Sequence, residues 1–437
     1  MATGFVTNRL HKVMMTGPVR HRISQGVLLL LAMCFGLQVF SPLRLNTDAI
    51  VLLSMAESAV HGDGFLDTGQ KTVFPPGYPA ALTVLVRAGV AHSWAIISLN
   101  LVLLAVGLFA ARSLLIREFF ADKTLILILC SLFLLSWVVI KQFTIPLTDV
   151  PFFCCSMCCL AVMSQATKME WNRRFVILVV AAWIFALAAI TVRRIGVSLI
   201  PPLVFMLVCN PQSRLLFKAL SRRSKLIIGL VLASVGIGTV GIVAKMSTLS
   251  DFSGVVNKSG ILSMLLRICS YRLTELGELF VNLPMSKMPT VIHVILRCIG
   301  LLLFLLTLGG LAAKRRDAGP TEVFLICYGG ILFVWPYYDV RFWLPVIPLL
   351  IAYSALSVKR VRLPREVVMI YCLVFAVFGF VAIAYSTRIS FAGSRFPDKY
   401  GDGSLRPTYC AAFHSCPDGA DSKRIDAKVL RLLQEYN

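Results

Sequence analysis

Eleven apolar runs separated by short polar segments divide this chain. They lie near residues 23–40, 94–110, 124–140, 151–167, 175–192, 195–209, 226–244, 291–312, 321–335, 343–357 and 367–385. Each is long enough, or nearly so, to cross roughly 30 Å of hydrocarbon as an α-helix. The two weakest are 195–209 and 321–335, and a re-entrant path for either would move the remainder of the chain to the other side. The pattern predicts an all-α polytopic membrane protein, a bundle of about 11 transmembrane helices. Residues 1–22 are polar and basic, and the first run ends in FSPLR without a small-residue cleavage site, so a retained signal anchor is expected.

Composition changes how the charge is read. Of 437 residues, 58% are hydrophobic and 15% charged, with a mean hydropathy of +0.81, too apolar for an ordinary soluble domain. A net charge of +22 would suggest nucleic acid in a soluble chain. Here Lys and Arg fall in short clusters between apolar runs, where they set orientation, and no nucleic-acid partner is expected. With the N-terminus inside, the interior segments 1–22, 111–123, 168–174, 210–225, 313–321 and 358–366 carry nearly twice as many Lys and Arg as the exterior loops 41–93, 141–150, 191–194, 245–290 and 336–342, which are longer in sum. An odd span count then places the end of the chain outside. The expected division is a transmembrane domain over 1–385, with a first exterior loop at 41–93 and a lid-like exterior segment at 245–290, and a small exterior tail over 386–437.

Water and polar substrates reach the exterior loops, so chemistry is sought there. In the first loop, residues 47–61 fit a short helix on which Ser54, Glu57, Ser58 and His61 recur at i, i+3, i+4 and i+7 as one polar stripe. The remainder is apolar, so the helix is expected to lie amphipathically along the membrane interface. Asp48 falls far from that stripe, among Leu52, Met55, Ala56 and Ala59. It is either a capping or first-turn aspartate, or a carboxylate in a partly desolvated place where its basicity rises.

Lys71 follows, then FPPGYP over Phe74–Pro79, which includes Tyr78. Two prolines and a glycine fix a rigid re-entry toward the membrane. Lys71 is a snorkelling interfacial residue or a phosphate contact. Arg193 and Arg194, in ALAAITVRRIGVSLIPPL, form an exposed turn or, being so tightly flanked by apolar residues, are paired or functional. Asp149 in PLTDVPFF caps its span with Thr148 or serves a site. Tyr337, Tyr338, Asp339 and Arg341 cluster at the ends of two runs, where aromatics first of all form an interfacial belt.

An acidic residue soon after the first span (Asp48), a small-residue helix ending in HGDGF, and then PPGYP resemble the membrane-embedded GT-C glycosyltransferases, in particular bacterial relatives of protein mannosyltransferases and of the aminoarabinose transferase that acts on lipid A. AIISLNLVLLAVGLFAARSLL is similar to that family's asparagine-bearing second span, IPLTDVPFF to its acid-and-aromatic motif, and DVRFWLPVIPLL to its late Arg-aromatic-Pro segment. The match covers residues 23–357 as an order of elements with short motifs.

The resemblance implies transfer of a sugar from a polyprenyl-phosphate-linked donor to a glycan, lipid or protein acceptor, with the active site facing outside a bacterial cell membrane. It implies Asp48 as catalytic base and Asp149 as the second acid, since Thr47-Asp48-Ala49 lacks a paired carboxylate. Asp149 would orient the acceptor or, with Asp48, hold a divalent metal ion. The chemistry asks for these types: the acceptor must lose a proton, and the departing phosphate gains charge that cations offset. Lys71, Arg193, Arg194 and Arg341 are the candidate cations, and Tyr78 and Tyr338 candidate substrate contacts.

Cys154, Cys155, Cys158 and Cys159 form CCSMCC within a span, where they read as helix-packing residues, not a metal site. Cys410 and Cys416 would close a small disulfide loop in an oxidising compartment. The six histidines show no metal-ligand spacing, and no Walker or dinucleotide motif is present. The competing classes are a lipid-linked oligosaccharide flippase or transporter, whose acids would sit at mid-membrane within internal repeats, and a polysaccharide polymerase. No repeat is evident, the acids fall in exterior loops, and the early PPGYP argues against the polymerase.

Overall fold

The computed structural model describes residues 17–120, 122–210, 261–284, 289–400, 404–415 and 425–437. The described elements are helices α1 (Gly17–Leu37), α2 (Thr47–His61), α3 (Gly77–Arg87), α4 (Ser93–Glu118), α5 (Lys123–Leu134), α6 (Trp137–Gln142), α7 (Asp149–Thr167), α8 (Arg173–Val192) and α9 (Ile200–Cys209). They continue with α10 (Ile261–Val281), α11 (Thr290–Lys314), α12 (Pro320–Leu332), α13 (Ile347–Val361), α14 (Arg365–Ser390), α15 (Phe396–Tyr400), α16 (Arg406–Phe413) and α17 (Ala427–Tyr436). Strands β1 (Leu66–Asp67) and β2 (Gln70–Lys71) make one small antiparallel ribbon between α2 and α3.

Each apolar run within the described residues is helical, and seven helical segments are long and apolar enough to cross a membrane. The protein is an integral membrane protein. The run at 226–244, and with it any full count of spans, lies outside the described residues. Runs 124–140, 195–209 and 321–335 are carried by shorter helices. The first is broken between α5 and α6, and Asn282 meets the break: its Nδ2 donates to Leu135 O at 3.0 Å, and its Oδ1 accepts from Trp137 N at 2.8 Å. Backbone groups freed inside a bundle must be satisfied by protein, and this side chain does so.

Small residues set the close approaches. A Cβ on Gly107 would lie 2.6 Å from the Phe153 ring, where α4 meets the cysteine run of α7. That run packs between α4 and α8, with Cys159 Sγ 3.2 Å from Ala182 O. The helix α10 falls in the segment expected as a lid. It pairs antiparallel with α11, where a Cβ on Gly277 would lie 2.1 Å from Leu296 O and one on Gly300 1.8 Å from Leu273 O. Residues 245–260 of that segment lie outside the described residues.

At the far end of α7 from Asp149, Lys314 bridges Glu118 at 2.7 Å and Glu322 at 2.8 Å. All three side chains are largely buried, and together they tie the ends of α4, α11 and α12.

The tail shares its core with the first loop. Leu43, Leu45, Ala49, Leu53 and Tyr78 form one hydrophobic cluster with Phe396, Tyr409, Val429, Leu432, Leu433 and Tyr436. The polar stripe of α2, expected along the interface, is therefore partly covered: Ser54 and Glu57 are buried, and Arg431 and Tyr436 of α17 bond to Glu57. Cys410 on α16 is disulfide-bonded, and Cys416 lies outside the described residues.

Candidate functional site

A cavity of about 520 Å³ opens at the end of the bundle where α2, α7 and the segments after α8 and α12 meet. Its walls are mostly apolar, from Leu52, Val73, Phe74, Pro75, Leu147, Ile331, Leu332 and Trp335. Its polar lining is Asp48, Thr148, Arg193, Arg194, Tyr337, Tyr338, Asp339 and Arg341.

Each polar group arrives by an identifiable local device. Asn46 caps α2, its side chain accepting from Ala49 N at 2.9 Å, and Gly62 closes the helix at a φ of 92°. With the cap thus supplied, Asp48 in the first turn is released to face the cavity beside Leu52, one turn on. The preceding segment is anchored by Arg44, which is buried and donates to Ser386 Oγ at 2.9 Å and Ser390 Oγ at 2.8 Å on α14.

The FPPGYP turn lies against the end of α8. A Cβ on Gly77 would sit 2.7 Å from the Thr191 carbonyl, so only glycine lets the first loop approach the backbone leading into Arg193. Gly196 acts likewise inside the same turn, where a Cβ would lie 2.6 Å from Ala189 backbone. Tyr78 is fully buried, and its hydroxyl donates to Asn100 Oδ1 at 2.9 Å. Asn100 in turn donates to Phe143 O and Ile145 O, each at 3.0 Å, and so holds the turn that leads into Asp149.

Carboxylates and guanidinium groups meet in pairs. Arg341 bonds to Asp48 through Nη2 and faces Asp339 through Nε, while its backbone N–H donates to Asp339 Oδ1 at 3.0 Å. Arg193 bonds to Asp149, which is 1% exposed and whose Oδ2 has no hydrogen-bond partner among the described residues. Both guanidinium groups lie against the ring of Phe342, at 4.8 Å for Arg193 and 5.5 Å for Arg341. Contact with an aromatic face suits a poorly hydrated cation. Burial raises the Asp339 carboxyl above its usual range, against the opposing pull of Arg341.

The loop carrying Tyr337–Arg341 is held from α10. Arg272 is fully buried, pairs with Glu275 at 2.9 Å and donates to Tyr337 O. Glu275 accepts from Asp339 N and from Trp343 Nε1, both at 2.7 Å, and Glu278 accepts from Tyr338 OH at 2.6 Å. Sequence reading passed over this row. Its signal was present in Arg272, Glu275 and Glu278, charged residues at helical spacing inside an apolar stretch.

Of the residues singled out from the sequence, Asp48, Arg193, Arg194, Tyr338 and Arg341 line one cavity, and Asp149 joins them through Arg193. Lys71 is exposed on β2 and Tyr78 is buried behind the turn, so neither lines it. Asp339 and Phe342 do line it and had no assigned role. Asp48 and Asp149, the acids expected to hold any divalent ion, are each engaged by an arginine, and among the described residues no group of three or more His, Cys, Asp or Glu is placed to hold a metal.

No family model matches the chain, and no curated protein matches it. Solved structures do. The oligosaccharyltransferase of Archaeoglobus fulgidus in complex with Zn and sulfate superposes with a TM-score of 0.50 at 13% identity, over 94% of this chain and 61% of that one. The archaeal oligosaccharyltransferase AglB from the same organism, with an inhibitory peptide and a dolichol-phosphate, gives 0.49 at 11% identity, over 94% of this chain and 64% of that one. ArnT from Cupriavidus metallidurans in the apo state gives 0.48 at 14% identity, over 94% of this chain and 68% of that one. The chain spans less than two thirds of the oligosaccharyltransferase. What it shares with that protein is the overall fold.

Proposed function

We propose that this protein transfers a sugar from a polyprenyl-phosphate-linked donor to an acceptor at the extracytoplasmic face of the membrane. The observation that carries the reading is convergence: Asp48, Arg193, Arg194 and Arg341, from three separate parts of the chain, line a single apolar-walled cavity. A lipid-phosphate donor has these two needs, an apolar wall for its chain and cations for its phosphate. Two observations support the extracytoplasmic side. The segments expected inside carry more Lys and Arg than the loops expected outside, the tail apart, and the tail beside the site carries the disulfide-bonded Cys410.

The chemistry is a single displacement. The acceptor oxygen or nitrogen bonds to the anomeric carbon as the bond from that carbon to the phosphate oxygen breaks. The electron pair stays on the phosphate and the acceptor's proton passes to Asp48. Arg193, Arg194 and Arg341 offset the charge gained by the phosphate, in a site where few waters compete. Arg341 is bonded to Asp48. A donor phosphate draws that guanidinium toward itself, which frees the carboxylate to accept a proton as the donor arrives. Asp149 holds Arg193 against Phe342, and Tyr338, fixed by Glu278, faces the sugar.

The test uses the full chain in nanodiscs with polyprenyl-phosphate sugars as donors and extracted surface glycans and lipids as acceptors. Release of polyprenyl phosphate with a gain of mass on the acceptor is the expected result. Lipid-linked sugar that crosses the bilayer unmodified would point to a flippase instead.

A further inference from the structure

The helix α2 is held from two sides. Asp48 and Leu52 face the cavity, whereas Glu57, nine residues beyond Asp48 and so roughly 180° around the helix, faces the tail. There Arg431 donates to one Glu57 oxygen and the Tyr436 hydroxyl to the other at 3.1 Å. Val429, Leu432, Leu433 and Tyr436, at i, i+3, i+4 and i+7, bury one face of α17 in the core it shares with α2.

The same tail grips the chain on both sides of α2. Before it, Leu43 N donates to Asn437 Oδ1 at 2.6 Å, and the Tyr409 hydroxyl accepts from Leu45 N at 2.8 Å and donates to Leu43 O at 3.0 Å. After it, Lys428 pairs with Asp67 on the ribbon of residues 62–75, whose end supplies Val73, Phe74 and Pro75 to the cavity wall. The base and one wall of the cavity thus hang on the tail, while Arg193 and Arg341 hang on α8, α10 and the segment after α12.

We propose that α17 is a clasp that sets the position of Asp48 and of the 62–75 ribbon, with Lys428, Arg431 and Tyr436 as positioning residues for the transfer step. This rests on the function proposed above. Because the clasp holds the base and not the phosphate cations, loosening it lowers kcat and leaves lipid-phosphate affinity nearly unchanged.

The experiment compares the full-length protein in nanodiscs as wild type, Arg431→Glu, Arg431→Lys and the double reversal Glu57→Arg/Arg431→Glu. Three readouts are taken: amide exchange of residues 43–48 and 62–75, affinity for undecaprenyl phosphate, and kcat and KM for transfer. Arg431→Glu is expected to speed exchange in both segments and to lower kcat about tenfold to hundredfold, the scale of a small misplacement of a reacting group. Undecaprenyl phosphate affinity should change less than about threefold, since the clasp touches none of the groups that bind it. Arg431→Lys and the double reversal should restore both exchange and kcat. Unchanged exchange in Arg431→Glu, or affinity falling in step with kcat, would overturn the clasp. If the wild type transferred no lipid-phosphate sugar, the functional reading would fail while exchange in the four proteins still decided the clasp.

Discussion

Arg341 and Asp48 stand 293 residues apart in the chain and meet as an ion pair at the cavity wall, the guanidinium Nη2 donating to a carboxylate oxygen of Asp48. The side chains are 15% and 26% exposed, so the pair is poorly solvated without being sealed. In the proposed reaction one partner accepts a proton and the other meets phosphate. Their bond therefore couples donor arrival to exposure of the base.

Asp48→Asn separates the two roles. The amide oxygen still faces Arg341, but it takes no proton. Transfer is expected to fall by about 10²–10⁴, the usual worth of a positioned general base, with affinity for undecaprenyl phosphate retained. Normal transfer by the variant would remove Asp48 from the mechanism.

Arg341→Lys keeps the charge and loses the fork. One ammonium cannot reach Asp48 and Asp339 from two nitrogens while lying against Phe342 as the guanidinium does. A loss of about 10²–10³ in kcat is expected, the scale for removing one well-placed donor to developing charge. Rates measured for Arg341→Lys against Arg193→Lys show which cation carries more of the phosphate.

Chelation tests the donor set. Since Asp48 and Asp149 are each bonded to an arginine, transfer is expected to survive dialysis against EDTA. Added Mg²⁺ or Mn²⁺ should raise the rate by less than about twofold, because a cation would first have to displace a guanidinium from each carboxylate. Abolition by EDTA with recovery on one added metal would show that the arginines yield to a cation.

Much of this arrangement was legible because its signals are local. Asn46 to Asp48 and Gly62 bracket α2 by capping chemistry, and the observed helix runs Thr47–His61 as its pattern predicted. PPGYP announced a rigid turn, although the reason for its glycine, contact with the Thr191 carbonyl, depends on a helix more than a hundred residues away. What escaped was long-range. Glu57 reads as a solvent residue until α17 covers it, and nothing near Glu57 in sequence encodes Arg431. Lys71 read either as a snorkelling interfacial residue or as a phosphate contact, and the ribbon leaves it exposed. Glu275 and Glu278 lay in a segment read as an exterior loop, so their helical spacing was not weighed as burial.

The buried triad of Glu118, Lys314 and Glu322 bears on stability and not on transfer. Lys314→Met leaves two largely buried carboxylates without their shared cation. Breaking such a pair costs about 3–5 kcal/mol. A clear drop in the detergent-solubilised melting temperature is expected. The triple variant Glu118→Gln/Lys314→Met/Glu322→Gln should recover most of it, since no unpaired charge then remains. Equal melting temperatures for Lys314→Met and wild type would mean the triad is not closed to water.

The Asp67–Lys428 pair gives the clasp an acid limit. Burial by itself would raise the Asp67 carboxyl, but hydrogen bonds from Lys428 and Ser54 outweigh it and hold the group below its ordinary range. With the folded-state pKa below that of the unfolded chain, the stabilisation is complete above the ordinary aspartate value of about 3.9 and is lost as pH falls through the folded-state pKa. Exchange protection of residues 62–75, corrected for intrinsic rate, is therefore expected to stay level from about pH 5 to pH 8 and to decline only below about pH 4. Asp67→Asn should show the reduced protection already at neutral pH and lose the acid limb. Release of the ribbon near pH 6 would instead assign its control to a histidine.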